Sequence, residues 1–189
     1  TPVYEFGDTA TGDNGPIVGT TQTASVEAAL YQVSTQSSAA ENELAAGPSF
    51  SATVTHVVDV ANGPTIDNLQ FTDALDNAVQ YSAQATVTGG TGCAINSEPS
   101  TSSTGGTLDV SCDSATGTSS ENDVRVSYPM HFINVLDAQQ CSVSSIEHPL
   151  DFNASYNGTG LTQISSSDTV TAKHVAIQQG VGANQSSPG

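Results

Sequence analysis

Residues 48–87, PSFSATVTHVVDVANGPTIDNLQFTDALDNAVQYSAQATV, constrain the fold more than any other stretch, because strand alternation, turn signals and apolar content coincide there for longest. Ala52, Val54, His56, Val58 and Val60 alternate with Thr53, Thr55, Val57 and Asp59, the period-2 pattern of a strand with one buried face. Asn62-Gly63-Pro64 ends that strand, since Gly permits positive φ and Pro withdraws a ladder donor. Leu69 and Phe71 then share a face between Asn68, Gln70 and Thr72. A turn is expected at Asp76-Asn77, after which Val79, Tyr81, Ala85 and Val87 form a third run. Short strands separated by turn residues predict a β-sandwich.

The flanking segments extend this pattern. Val124, Val126, Tyr128, Met130 and Phe132 read inward, and Asp123, Arg125, Ser127 and His131 outward; Pro129 on the outward set predicts an edge or bulge position. Leu150, Phe152, Ala154 and Tyr156 alternate with Asp151, Asn153, Ser155 and Asn157, and a last strand is expected over residues 169–177. Residues 25–34 fit a helix face (Val26, Ala29, Leu30, Val33) and a strand face (Glu27, Ala29, Tyr31, Val33); their context favours a strand. A polar loop with one helical turn follows over residues 35–47. With 5 % aromatics and no Trp, the core must be built largely of Val, Ala, Leu and Ile, which favours many thin strands.

At 189 residues the chain suits one elaborated domain. The expected organisation is an N-terminal arm over 1–24, a sandwich over 25–178 and a flexible tail over 179–189. The arm holds two small apolar islands, one with Tyr4 and Phe6 and one with Ile17 and Val18. It reads either as an edge strand on its own domain or as a strand donated to a neighbouring subunit.

Nineteen acidic residues face one lysine, Lys173, and one arginine, Arg125, for a formal charge of -17. Such a surface repels phosphate backbones and anionic headgroups, which excludes nucleic acid and the membrane surface as expected partners. The acidity fits a soluble exported protein, a saline habitat or divalent-cation binding. No apolar run approaches the ~18 residues of a membrane span. The start at Thr1 without a leader, and Asn-x-Ser/Thr sequons at Asn153, Asn157 and Asn184, add to an expectation of a secreted or cell-surface glycoprotein.

Cys93 and Cys112 sit near the ends of a Gly/Ser/Thr-rich loop, and a disulfide closing it would contribute about 2–4 kcal/mol in an oxidising compartment. Cys141 is a third thiol, so three single bridges can be drawn and the spacing alone leaves the pairing open. The histidines His56, His131, His148 and His174 lack metal-site spacing and read as core or surface residues. No Gly-x-Ser-x-Gly elbow occurs, and few aromatics are present to stack sugars. Calcium is the ion best suited to the oxygen ligands around Asp8, Asp13, Asp113, Glu121 and Asp123, although no twelve-residue calcium loop occurs. Lys173 is the one lysine available for an internal isopeptide bond, which we do not expect.

The Gly47-Pro48 entry, the alternating SFSATVTHVVDV, the Asn62-Gly63-Pro64 turn, the strand into Asp73-Ala74-Leu75 and the pair Cys93 and Cys112 together resemble an immunoglobulin-like conserved repeat of bacterial and archaeal cell-surface proteins, a domain of unknown function. The resemblance covers residues 47–112. It implies an immunoglobulin-like β-sandwich in a wall protein, stalk, surface layer or filament, with no catalytic residues to carry over. The expectation is therefore a non-enzymatic structural subunit that self-assembles into a filament, pilus-like fibre or surface array through strand complementation, an N-terminal or a C-terminal arm completing a neighbour's sheet, with Tyr4, Phe6, Ile17 and Val18 as candidate anchors. The alternative is an adhesin or carbohydrate-binding module with calcium-stabilised loops, whose partners are glycans or surface ligands.

Overall fold

In the computed structural model the described residues are 29–119, 123–133 and 144–173, with two short strands, β1 (Val3–Tyr4) and β2 (Ile17–Val18). The main body contains β3 (Tyr31–Ser37), β4 (Glu43–Ala45), β5 (Ala52–Val60), β6 (Thr65–Tyr81), β7 (Thr86–Gly89) and β8 (Ala94–Ser97). It continues with β9 (Thr104–Thr116), β10 (Val124–Phe132), β11 (Ser144–Tyr156), β12 (Thr159–Gly160) and β13 (Ile164–Lys173). One 3-10 turn, Ala40–Asn42, separates β3 from β4.

Pairing arranges these strands in two layers. β3, β5, β10 and β7 lie side by side in one; β4, β13, β11, β6, β9 and β8 follow one another in the other. β6 belongs to both, because Thr65–Leu75 pairs with β9 while Val79–Tyr81 pairs with β10. β3 and β4 split the first edge between layers: β3 pairs antiparallel with β5, and β4 runs parallel to β13. In space this is the immunoglobulin arrangement, four strands facing a larger sheet, although the chain visits β7 before β8 and β9.

The core lies between the layers. Alternate residues of β5 and β10 are buried, among them Val54, Val58, Val126, Tyr128 and Met130, against Ile66, Leu69, Phe71, Leu150, Phe152 and Val170 of the other layer. Phe71 and Phe152 face each other on neighbouring strands with ring centroids 4.9 Å apart, edge to face, and Tyr31 meets Phe152 at 5.4 Å. Aromatic pairs of this kind contribute about 0.5–1.5 kcal/mol beyond area burial, so Phe152 joins three strands through one side chain.

Several boundaries differ from the sequence reading. Asp76-Asn77 is a bulge inside one 17-residue strand: Asp76 Oδ1 accepts from the Ala78 N–H at 2.7 Å, and the chain bends from one layer to the other without reversing. Val87 belongs to β7. Pro129 is interior, since β10 has neighbours on both sides. Its carbonyl accepts from the Ser82 N–H, so its missing donor faces the gap where β6 ends and β7 has yet to begin. β3 starts at Tyr31 and runs to Ser37, into the expected loop. The last strand begins at Ile164, ahead of residue 169. His131 and Val57, both in outward phase, are buried.

Candidate functional site

β3 closes one layer on one side only. Among the described residues no strand pairs with its outer side. Two bonds bracket its ladder with β5, from the Ala61 N–H to the Leu30 carbonyl and from the Ser38 N–H to the Thr53 carbonyl, each 2.9 Å. In antiparallel alternation the even-numbered residues between them bond to β5. The N–H and C=O groups of Tyr31, Val33, Thr35 and Ser37 therefore point to the open side. The strand, YQVSTQS, has seven residues with no charge and no proline, the devices by which sheet edges are normally guarded.

Of the other edges, β13 beyond its pairing with β4 leaves Ile164–Val170 without an outer partner among the described residues and carries the charged Asp168; the rest are short. β4 has three residues and carries Glu43, which pairs with the exposed Lys173 ammonium; β7 and β8 have four residues each. The turn between β7 and β8 holds Gly89, Gly90 and Gly92 at positive φ, and the Cys93–Cys112 disulfide ties the start of β8 to β9. At Gly89 a Cβ would lie 1.9 Å from the Asp123 carbonyl oxygen, so only glycine fits this close approach.

Behind β3 the core contains a polar cluster that sequence reading did not assemble. His56 Nε2 meets Asp73 Oδ2 at 2.8 Å, and the Tyr128 hydroxyl donates to the same oxygen at 2.5 Å. His56 Nδ1 lies 3.0 Å from the Thr35 hydroxyl, the donor being set by the ring's tautomer. His56, Asp73 and Tyr128 are at most 1 % exposed. Burial, then the Asp73 carboxylate, push the Tyr128 phenol well above its ordinary range and raise the Tyr81 phenol too. Burial lowers the pKa of His148, keeping that ring neutral. The cluster joins β5 and β10 of one layer to β6 of the other, and Thr35 ties the edge strand to it. Asp73 follows Leu69 and Phe71 in the inward phase of β6, the one sequence signal for a buried carboxylate.

The residues expected to act distribute as follows. Cys93 and Cys112 are bonded; Cys141, His174, Asn184, Phe6, Asp8, Asp13 and Glu121 lie outside the described residues. Asn153 is exposed on the outward face of β11, and Asn157 occupies the turn to β12 at φ 50°. Tyr4, Ile17 and Val18 lie in a separate ladder, Val3 opposite Val18 and Tyr4 opposite Ile17. Asp113 is exposed beside Gly92. Asp123 caps the chain, accepting from the Val60 N–H and from the N–H and hydroxyl of Thr118. Among the described residues no three His, Cys, Asp or Glu side chains are grouped to hold a metal, and no helix is long and apolar enough to cross a membrane.

No family model matches the chain, and no curated protein matches it significantly. Solved structures do. The major pilin subunit BcpA of Bacillus cereus superposes with a TM-score of 0.50 at 9 % identity, over 76 % of this chain and 40 % of that one. The fold is an immunoglobulin-like β-sandwich. The major pilin SpaD of Corynebacterium diphtheriae gives 0.49 at 12 % identity, over 75 % of this chain and 35 % of the pilin. A collagen-binding domain from a Staphylococcus aureus adhesin gives 0.42 at 14 % identity, over 77 % and 99 %. The chain thus spans less than half the length of either pilin.

Proposed function

We propose that the chain is an extracellular structural subunit that joins copies of itself into a filament, pilus-like fibre or surface array by adding a strand from one copy to the β3 edge of the next. The observation that carries this reading is the edge itself, seven uncharged residues with four outward N–H and C=O pairs. A donated strand would satisfy those groups, as in other strand-addition complexes. The donor is the segment 1–24, whose β1–β2 ladder pairs with neither layer among the described residues, with Tyr4, Phe6, Ile17 and Val18 as anchors. The fold shared with a pilin subunit supports a fibre role. The charge of -17 is compatible with close packing, since exposed charges are screened beyond about 8 Å at physiological salt.

The subunit has no catalytic task in this reading: His56 and Asp73 bond to each other inside the core. Asn153, Asn157 and Asn184 would carry glycans, with the first two exposed. The alternative is an adhesin with calcium-stabilised loops; of its candidate ligands Asp113 is exposed, whereas the Asp123 carboxylate accepts from the Val60 and Thr118 groups.

Negative-stain microscopy and sizing of the full chain, beside a chain lacking residues 1–24, test the proposal. Ordered polymers that vanish on deletion are expected. Folded monomers from both chains would rule it out, and polymers from both would remove the arm as donor.

A further inference from the structure

The polar cluster is incomplete as a set of protein groups. Asp73 Oδ1, the Tyr81 hydroxyl and His148 Nε2 are buried and have no hydrogen-bond partner among the described residues, and each residue is 1 % exposed. Buried polar atoms of native proteins are almost always paired, with protein or with ordered water. Three orphans in one core call for a shared explanation.

A ring stack and the β6–β11 ladder link the other two to Asp73. The Tyr81 ring stacks on the Tyr128 ring with centroids 4.9 Å apart, and the Tyr128 hydroxyl holds the other Asp73 oxygen. The β6–β11 ladder pairs Thr72 with Asp151, so its next step sets Leu150 beside Asp73 and makes His148 the diagonal neighbour. The Asp73 charge is felt at both the Tyr81 hydroxyl and the His148 ring. The three atoms supply an anionic acceptor, a hydroxyl that donates and accepts, and a ring nitrogen whose role follows its tautomer. Water, with two donors and two acceptors, complements all three. A multivalent metal ion fits less well, since no three metal-ligating groups are gathered among the described residues.

We propose that the core encloses a water-binding site in which at least one internal water bridges Asp73 Oδ1, the Tyr81 hydroxyl and His148 Nε2. This water links the two layers, Tyr81 lying on the part of β6 that pairs with β10 and His148 on β11. In an immunoglobulin domain the corresponding link between layers is covalent, a disulfide between the second strand and its partner across the core; here His56 and His148 stand on those strands. The inference is independent of assembly.

Tyr81→Phe tests it by sign. If the hydroxyl is bonded to water, the variant loses a hydrogen bond and its melting midpoint falls, by about 2–4 °C for a chain of this size. If the hydroxyl is a dry orphan, its removal relieves a desolvation penalty and the midpoint rises or stays, which overturns the proposal. A crystal structure of the full chain supplies the second readout. Solvent within about 3.2 Å of Asp73 Oδ1 and of one of the other two atoms is expected. Direct pairing of the three atoms would contradict it, as would a peak that turns into rubidium on soaking, the mark of a monovalent-cation site.

Discussion

The two sides of the sandwich end by opposite rules. At the β7–β8 side the edges are four residues long, joined by a turn with three positive-φ glycines and held by the Cys93–Cys112 bond. At the β3 side the edge is seven residues long and uncharged, and it is held by its ladder with β5, by Tyr31 on Phe152 and on the Thr162 carbonyl, and by Thr35 on His56. Short, constrained edges give another chain little to pair with, whereas a longer uncharged one is a template. The difference teaches that the edge and the buried cluster are connected: Thr35 joins β3 to His56, and the odd-numbered residues of that strand present their backbone groups outward.

The largest way to break this contrast acts on the cluster. Asp73→Ala leaves a buried histidine and a buried phenol without their acceptor and should cost about 3–5 kcal/mol in denaturant unfolding. Assembly should be lost with the fold. Next comes the closed side. The double variant Cys93→Ser with Cys112→Ser should cost about 3 kcal/mol, as expected for its loop length, yet leave assembly under native conditions unchanged. Loss of polymers from a folded double variant would move the assembly surface to the β8 side.

Smaller effects sharpen the contrast. Thr35→Val keeps the shape of the edge and removes the bond to His56, costing about 1 kcal/mol by thermal unfolding and weakening assembly beyond what that loss of stability accounts for. The pH dependence follows from His148, whose folded pKa lies below its ordinary value near 6.5. Below that value the unfolded chain binds a proton that the folded chain resists. This contribution is fully present above about pH 6.5 and is lost as pH falls toward the folded pKa. His148→Phe should flatten that part of the stability profile, measured by urea unfolding between pH 7 and 5.

Much of the fold was legible because its core strands bury one face. The inward sets of β5 and β10 stand in the sequence as Ala52 to Val60 and Val124 to Phe132, and each is buried as read. β6 was not legible as one strand. Asp-Asn serves a turn and a bulge equally well, and the choice is made by pairing with β9, far along the chain. β3 shows only Tyr31 and Val33 as apolar residues in its inward phase, too brief a pattern to fix its end, and its status as an edge depends on what lies beside it. The polar cluster was half visible: His56 and Asp73 each break an apolar phase, but their distance is set by two layers meeting, which no local pattern encodes.

Hydrogen exchange resolved at single amides of β3, in dilute and in assembled protein, tests strand addition most directly. The account predicts that the Val33, Thr35 and Ser37 amides exchange freely in the dilute subunit and become protected on assembly, while the Ser34 and Gln36 amides are protected in both states. Assembled protein in which Val33 and Thr35 still exchange freely would contradict it.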